Sequence, residues 1–208
     1  MTGRLCYLEP VVLDHAADLF AAFTAPGGDA GWDYLAYGPF VTEAAFRDHI
    51  AAECLGQDPA FYTVIDGQSA RAVGMLSYMR QRPEHGSIEI EHVHFGPGMK
   101  GSAVSTEVQY LMMRHVMTDL GYRRLEWKCD AANLRSRRAA ERLGYRFEGV
   151  FRQDMVVKGR NRDTAWYALM DHEWPAVKDA LEAWLAPSNF GVDGQQRRTL
   201  DDFRSNRA

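Results

Sequence analysis

Apolar positions along the chain follow two periods, and the switches between them mark out its elements. Arg4 to Val12 reads as a strand, and Leu13 to Thr24 carries apolar residues at helical spacing. Ala25-Pro-Gly-Gly-Asp29 is a break, the aromatic run Trp32 to Phe40 reads as a loop, and Thr42 with Glu43 opens a helix reaching about Gly56. Phe61 to Asp66, Ala72 to Arg80 and Ser87 to Phe95 are β-rich or alternating. The short separators Asp66-Gly67 and Pro83-Glu-His-Gly86 between them predict an antiparallel meander. The period then changes, because Val104, Val108, Leu111, Met112 and Val116 form an i, i+4, i+7, i+8, i+12 stripe that predicts a helix from Ser102 to about Asp119. Leu125 to Cys129 is the next strand, and strand, helix and strand of these lengths imply a parallel βαβ unit. Asn133 to Leu143 is a helix that stops at Gly144, a position suited to a left-handed cap. Tyr145 to Val157 and Asp163 to Met170 form a hairpin around Lys158-Gly159, and Trp174 to Leu185 is a last helix. The predicted fold class is α/β, with a mixed, mostly antiparallel twisted sheet, a central parallel βαβ unit and helices on both faces.

The length of 208 residues suits one domain, 1–187, followed by a polar extension, 188–208, that either wraps the domain or stays loose. Composition is ordinary for a soluble chain, with 46% apolar and 25% charged residues. No stretch has the length of a membrane helix and the first residues lack a signal-peptide core, so the expected location is cytoplasmic, with no membrane partner. Cys6, Cys54 and Cys129 are widely spaced and in no CxxC pair, which reads as reduced thiols. His92 and His94 have no Cys or acidic ligand set beside them, so no metal is expected. The net charge of −4 conceals an asymmetry: residues 98–162 hold fourteen Lys or Arg against seven Asp or Glu, leaving −11 elsewhere. A basic segment suits phosphate. The acidic remainder and the lack of a nucleic-acid motif argue against a nucleic-acid partner.

Gly96-Pro-Gly98-Met-Lys-Gly101 matches GxGxxG between a strand and a helix, the formal signature of a dinucleotide-binding protein. That alternative fits poorly, since three antiparallel strands precede the turn and only one crossover follows it. What remains is general: small residues at a helix N-terminus let unpaired N–H groups approach a pyrophosphate, although glycine can also be there for a tight turn alone.

The helix opening Asn133-Leu-Arg-Ser136-Arg-Arg-Ala-Ala-Glu-Arg-Leu-Gly-Tyr145-Arg-Phe-Glu-Gly149 follows an Asn-x-x-Ser…Gly-Phe/Tyr pattern. With it the chain resembles the GNAT acyl-CoA N-acyltransferases over roughly Leu5 to Met170, and within them the branch that acetylates ribosomal-protein N-termini. The resemblance implies splayed strands around a wedge, acetyl-CoA as co-substrate, and transfer of an acetyl group to a primary amine of a small molecule or of a peptide N-terminus. It places the coenzyme A loop, Arg/Gln-x-x-Gly-x-Gly/Ala, on Lys100, Gly101, Ser102, Ala103, Val104 and Ser105. The sequence departs there, with Lys for Arg or Gln, Ala103 for Gly, and Ser at the last position. A degenerate member that binds a ligand or protein without catalysis is therefore an alternative.

The resemblance also assigns roles. Val93, His94 and Phe95 would offer backbone groups to the pantetheine arm. The acceptor ammonium must lose a proton, and Glu89 is the first candidate base; Glu91 shares its face if the strand has no bulge, and His92 takes that face if it has one. Either Glu could equally be a carboxylate paired across the sheet with an Arg. Ser136 or a Tyr hydroxyl would give the departing thiolate its proton. Asn133 and Ser136 would meet the cofactor, unless they serve only as N-cap and N3 of the helix. Arg137 or Arg138 would reach the 3′-phosphate, though arginines so placed are often solvated surface. Trp32, Tyr34 and Tyr37 would line the acceptor pocket, or plug the loop onto the sheet. The aromatic content and the extension are compatible with a homodimer.

Overall fold

The computed structural model describes residues 1–28 and 31–204, so Asp29 of the predicted break and the last four residues of the extension lie outside the described residues. The first strand, β1, is Cys6–Pro10. A 3-10 turn, Leu13–His15, leads into α1, Ala16–Thr24, which buries Ala16, Leu19 and Phe23. Helix α2, Glu43–His49, starts at Thr42, whose hydroxyl accepts from the Ala45 N–H at 3.2 Å, and continues as a π turn to Cys54. The meander is β2 Ala60–Asp66, β3 Ala72–Arg82 and β4 Ser87–Phe95, antiparallel throughout. Helix α3, Ala103–Arg114, extends through a π turn to Asp119, and β5 is Arg124–Asp130.

Helix α4, Leu134–Leu143, stops at Gly144 with φ 104°, where a Cβ would come within 2.8 Å of Val177. Gly144→Ala is therefore expected to lower stability by at least about 1 kcal/mol, read as a drop in melting temperature. Strands β6, Arg146–Val157, and β7, Arg160–Met170, meet at Lys158-Gly159, both left-handed as a tight hairpin turn requires. Helix α5 is Trp174–Leu185 and a short α6 is Leu200–Arg204. The segment after Pro187 folds back: Leu200 is 2% exposed, and the Asn189 amide donates to the carbonyls of Trp184 and Arg198. Arg204 reaches the last turn of α4, donating to the Glu141 and Arg142 carbonyls.

The seven strands form one sheet in the order β1-β2-β3-β4-β5-β7-β6. Among the described residues only β4 and β5 pair in parallel, so the dinucleotide alternative, which needs successive parallel βα units, has no place in this topology. Each face of the sheet carries its own apolar cluster. One joins α3 and α5 to Ile88, Ile90, Leu125 and Trp127, and the other joins α1, α2 and Trp32 to Phe61 and Met75. No described helix is long and apolar enough to cross a membrane.

Two features of β4 open a cleft in the sheet and aim side chains into it. Its pairing with β5 consists of Ser87↔Arg124, Ile88↔Leu125 and Glu89↔Glu126; past Glu89 the strands part, β4 staying with β3 and β5 with β7. Beyond that point β4 carries a bulge, because Ser77 opposes Glu91 and Met75 opposes His94. The extra residue is His92, at φ 54°, a left-handed conformation uncommon for a side-chain-bearing residue. Its Nδ1 shares a 2.8 Å hydrogen bond with the Ser77 hydroxyl, which holds the bulge.

Candidate active site

The bulge brings all three candidate bases to one face. Ile88 and Ile90 pack into the α3 cluster, so Glu89 and Glu91 point the other way. His92 then lies on their side, its ring 5.0 Å from Phe61 and 5.9 Å from Tyr37, and His94 follows, stacked on Phe23 at 3.8 Å. The strand is bulged, so His92 takes this face as that alternative expects, and Glu91 shares it because a bulge turns two consecutive side chains the same way.

Their environments differ. Glu89 is 0% exposed, and its Oε2 accepts from Arg80 Nη1 at 2.6 Å and Lys128 Nζ at 2.8 Å. Burial pushes its carboxyl up, yet hydrogen bonding with Glu91 and the Lys128 and Arg80 cations outweigh burial and hold it below the usual carboxylate range. Glu89 Oε1 is buried without a partner unless Glu91 carries a proton and donates to it. Glu91 has a side chain 20% exposed, and its oxygens lie 3.9 Å from Arg80 and 4.0 Å from Arg162. Burial, then the bond and the charge of Glu89, raise it well above the usual range against those two guanidiniums. His92 is lowered to about 4, mainly by burial, and is neutral near pH 7.

The sequence alternative of an Arg paired across the sheet is met by Arg80 on β3 with Glu89, but sequence reasoning missed Lys128 and Glu126. Lys128 Nζ bridges Glu89 and Glu126, each at 2.8 Å, and lies 3.8 Å from the ring centroid of Trp166. Arg124 ties Glu126 to Glu148. The available signal was the alternation of Glu126 and Lys128 in a strand whose neighbours are apolar, because charges in a strand covered on both faces need partners.

The aromatic loop divides. Trp32 is 3% exposed and packs edge-on to Phe23, Phe40, Phe46 and His94, so it plugs the loop onto the sheet. Tyr37 sits between His49 and His92, with its hydroxyl buried and unpartnered. Tyr34 is exposed, and its hydroxyl donates to the Ala132 carbonyl across the opening, 3.4 Å away. The β6–β7 turn closes over the same loop through Lys158 Nζ, which donates to the Trp32 carbonyl.

At the other end of β4, a 3-10 turn, Pro97–Met99, leads to Gly101 at φ 74° and to α3. A Cβ on Gly98 or Gly101 would meet nothing within 4 Å, so backbone here faces open space. Ser102 caps the helix through the Ser105 N–H, while the Ala103 and Val104 amides belong to the turn that a helix leaves without internal partners. Ala103 and Val104 pack against the main core, so the methyl that replaces the expected glycine turns inward. Lys100 Nζ is directed toward Gly31 and His94, and the cation adds to the burial that lowers His94 to about 3. Val93 and Phe95 also pack against the main core, which leaves the backbone of β4 as the group turned to the opening.

On the far side of the wedge, Asn133 Oδ1 accepts from the Ser136 N–H at 3.1 Å and caps α4. Asn133→Ala is expected to cost about 1 kcal/mol as a lost cap. If Asn133 also contacts the cofactor, turnover falls by more than that loss of stability explains, and comparing melting temperature with rate separates the two roles. Ser136 Oγ accepts from Trp127 Nε1 at 3.0 Å. An indole N–H can only donate, so the serine proton remains for another acceptor. Arg137 is engaged with the Tyr167 hydroxyl and the Ala131 carbonyl, whereas Arg138 is exposed with no ion pair among the described residues. Tyr145, whose buried hydroxyl has no partner, packs on Trp127. Among the described residues no group of three His, Cys, Asp or Glu could hold a metal ion.

Comparison with known proteins bears on this arrangement. The family model described as an acetyltransferase (GNAT) domain matches residues 4–146. A GCN5-related N-acetyltransferase from Brucella melitensis is similar at 46% identity over 98% of this chain and 93% of its own, with a TM-score of 0.93. A protein from Chromobacterium violaceum assigned to the same family is 42% identical over 84% of this chain and 87% of its own, with a TM-score of 0.78. A Vibrio cholerae protein assigned as a ribosomal-protein-serine acetyltransferase shares the fold alone, at 17% identity over 81% and 95% of the two chains and a TM-score of 0.70. No curated protein matches the chain.

Proposed function

Because the chain belongs to the GNAT family of acetyltransferases, we propose that it moves an acetyl group from acetyl-CoA to a primary amine, with Glu91 as base and Ser136 as proton donor. The observation that carries this reading is the parting of β4 from β5 immediately past Glu89, with strand alternation turning Glu91 to the acceptor side and the bulge adding His92 beside it. The residues present fit coenzyme A. Gly98 and Gly101 open onto free space at a helix N-terminus, and the Ala103 methyl is turned into the core. The backbone of Glu91 to Phe95 and the first amides of α3 would hold it, with Asn133 and Arg138 on the opposite side. Bound there, the thioester supplies an activated acetyl group.

Glu89, the first candidate base, occupies a place that suits a fixed anion instead. Two cations already hold its charge, which lowers its affinity for a proton. Glu91 combines partial exposure with a raised affinity for a proton, which favours it as the group that takes one. Two protons leave the acceptor ammonium as the C–N bond forms and the C–S bond breaks. Glu91 takes the one that frees the lone pair and passes it to solvent. The second balances the proton that Ser136 gives to the departing sulfur and later regains. Ser136 is aimed for this by Trp127, whose N–H fixes the oxygen as an acceptor. Tyr37, with its unpartnered hydroxyl beside His92, lines the acceptor side.

The test is thiol release from acetyl-CoA across a panel of amines and N-terminal peptides, with acetyl-CoA binding measured by calorimetry. Turnover of an amine supports the transferase. Tight binding of acetyl-CoA with no acceptor turned over would instead leave a ligand-binding module.

A further inference from the structure

Arg162 lies on β7 beyond the last residue of β5, because Asp130 pairs with Thr164, and so stands at the open end of the wedge. It is 8% exposed, an unusual degree of burial for a guanidinium. Its partners are few: Nε donates to Thr164 Oγ1 at 3.2 Å, and Nη2 lies 4.0 Å from Glu91 Oε1, beyond hydrogen-bond range. A guanidinium has five N–H donors, and among the described residues this one meets Thr164 and, at 4.0 Å, Glu91, which leaves donors free for a ligand. The other cations of the cluster are satisfied more closely, Lys128 by two carboxylates at 2.8 Å and Arg80 by Glu89 at 2.6 Å.

We propose that Arg162 binds a carboxylate of the acceptor, whose reacting amine lies against Glu91, so that the acceptor is an amino acid with its amino and carboxylate groups on the same or adjacent carbons. This rests on the transferase reading above. The pair accommodates that spacing: with each ligand group about 3 Å from its partner, partners 4.0 Å apart accept two groups that are neighbours on the ligand. A polyamine has no anion to offer Arg162. A peptide N-terminus offers a neutral carbonyl, which forms a weaker bond with a guanidinium than a carboxylate does.

The test uses matched sets: an L-amino acid, its amide, and the amine left when its carboxyl is removed, for a small, an aliphatic and an aromatic side chain. Affinity is measured by calorimetry on the full chain with coenzyme A present, and turnover by thiol release. The inference expects the free amino acid to exceed its decarboxylated partner in affinity and kcat/KM by about 10²-fold or more in at least one set, with the amide well below the acid. In Arg162→Gln this preference should collapse toward unity, and Arg162→Lys should restore part of it, with melting curves confirming that both variants fold. Equal affinity across the sets, or preference for amides and peptides, overturns the inference and leaves the transferase standing. A carboxylate preference in binding with no thiol released from any member overturns the transferase reading and leaves the binding assignment.

Discussion

Glu91→Gln is expected to lower kcat/KM for a turned-over amine by about 10²–10⁴-fold, the usual contribution of a positioned general base. The amide keeps the size and hydrogen-bonding capacity of the carboxyl but cannot accept a proton. In the parent enzyme kcat/KM should rise with pH through a limb above the usual carboxylate range, because burial and Glu89 hold the Glu91 proton; in the variant that limb should vanish. Stability should move the opposite way. A carboxyl whose folded pKa is raised stabilises the fold below its unfolded pKa, and that contribution is lost as pH rises through the folded value. Glu91→Gln should therefore melt higher than the parent at alkaline pH, with the gap closing in acid. Unchanged kcat/KM would return the base role to Glu89 or His92.

Lys128→Met is expected to cost about 3–5 kcal/mol, the loss typical of removing one partner from a buried ion pair. Lys128 has a side chain only 4% exposed and contacts both Glu89 and Glu126. Without it, Glu89 keeps one cation in a site closed to water. At this chain length the melting temperature should fall by on the order of 10 °C. The pH dependence identifies the cause. Glu89 is held below its usual range, so its contribution is present above the unfolded pKa and is lost as pH falls through the folded one. The variant should lose less on acidification than the parent does. Adding Glu89→Gln should recover part of the stability, since it removes the stranded charge. If the double variant is no more stable than Lys128→Met alone, the damage is lost packing on Trp166 rather than charge.

The elements were legible because each is specified locally. The stripe from Val104 to Val116 can bury one face only as a helix, and it does so in α3. Gly144 and Lys158-Gly159 mark places where the chain must take left-handed angles, and both do. The order of periods was enough to indicate a mixed sheet with one parallel pair. Glu107, silent in the sequence, is explained only by tertiary contacts 101–103 positions away. It is buried in α3 because its carboxylate accepts the N–H groups of Arg4, Leu5 and Cys6 and ties the chain start to the core.

Hydropathy period and the steric needs of glycine and of helix caps are properties of neighbouring residues, so the chain alone dictated the meander, the βαβ crossover, the turn into α3 and the capped start of α4. How Glu89, Glu91 and His92 differ in burial and proton affinity was decided only by the tertiary structure. It depends on one extra residue in β4 and on cations brought from β3, β5 and β7, whose fields act through space between residues 9 to 71 positions apart. An acid's affinity for its proton is set by burial and by the charges facing it, and those exist only once the sheet is assembled.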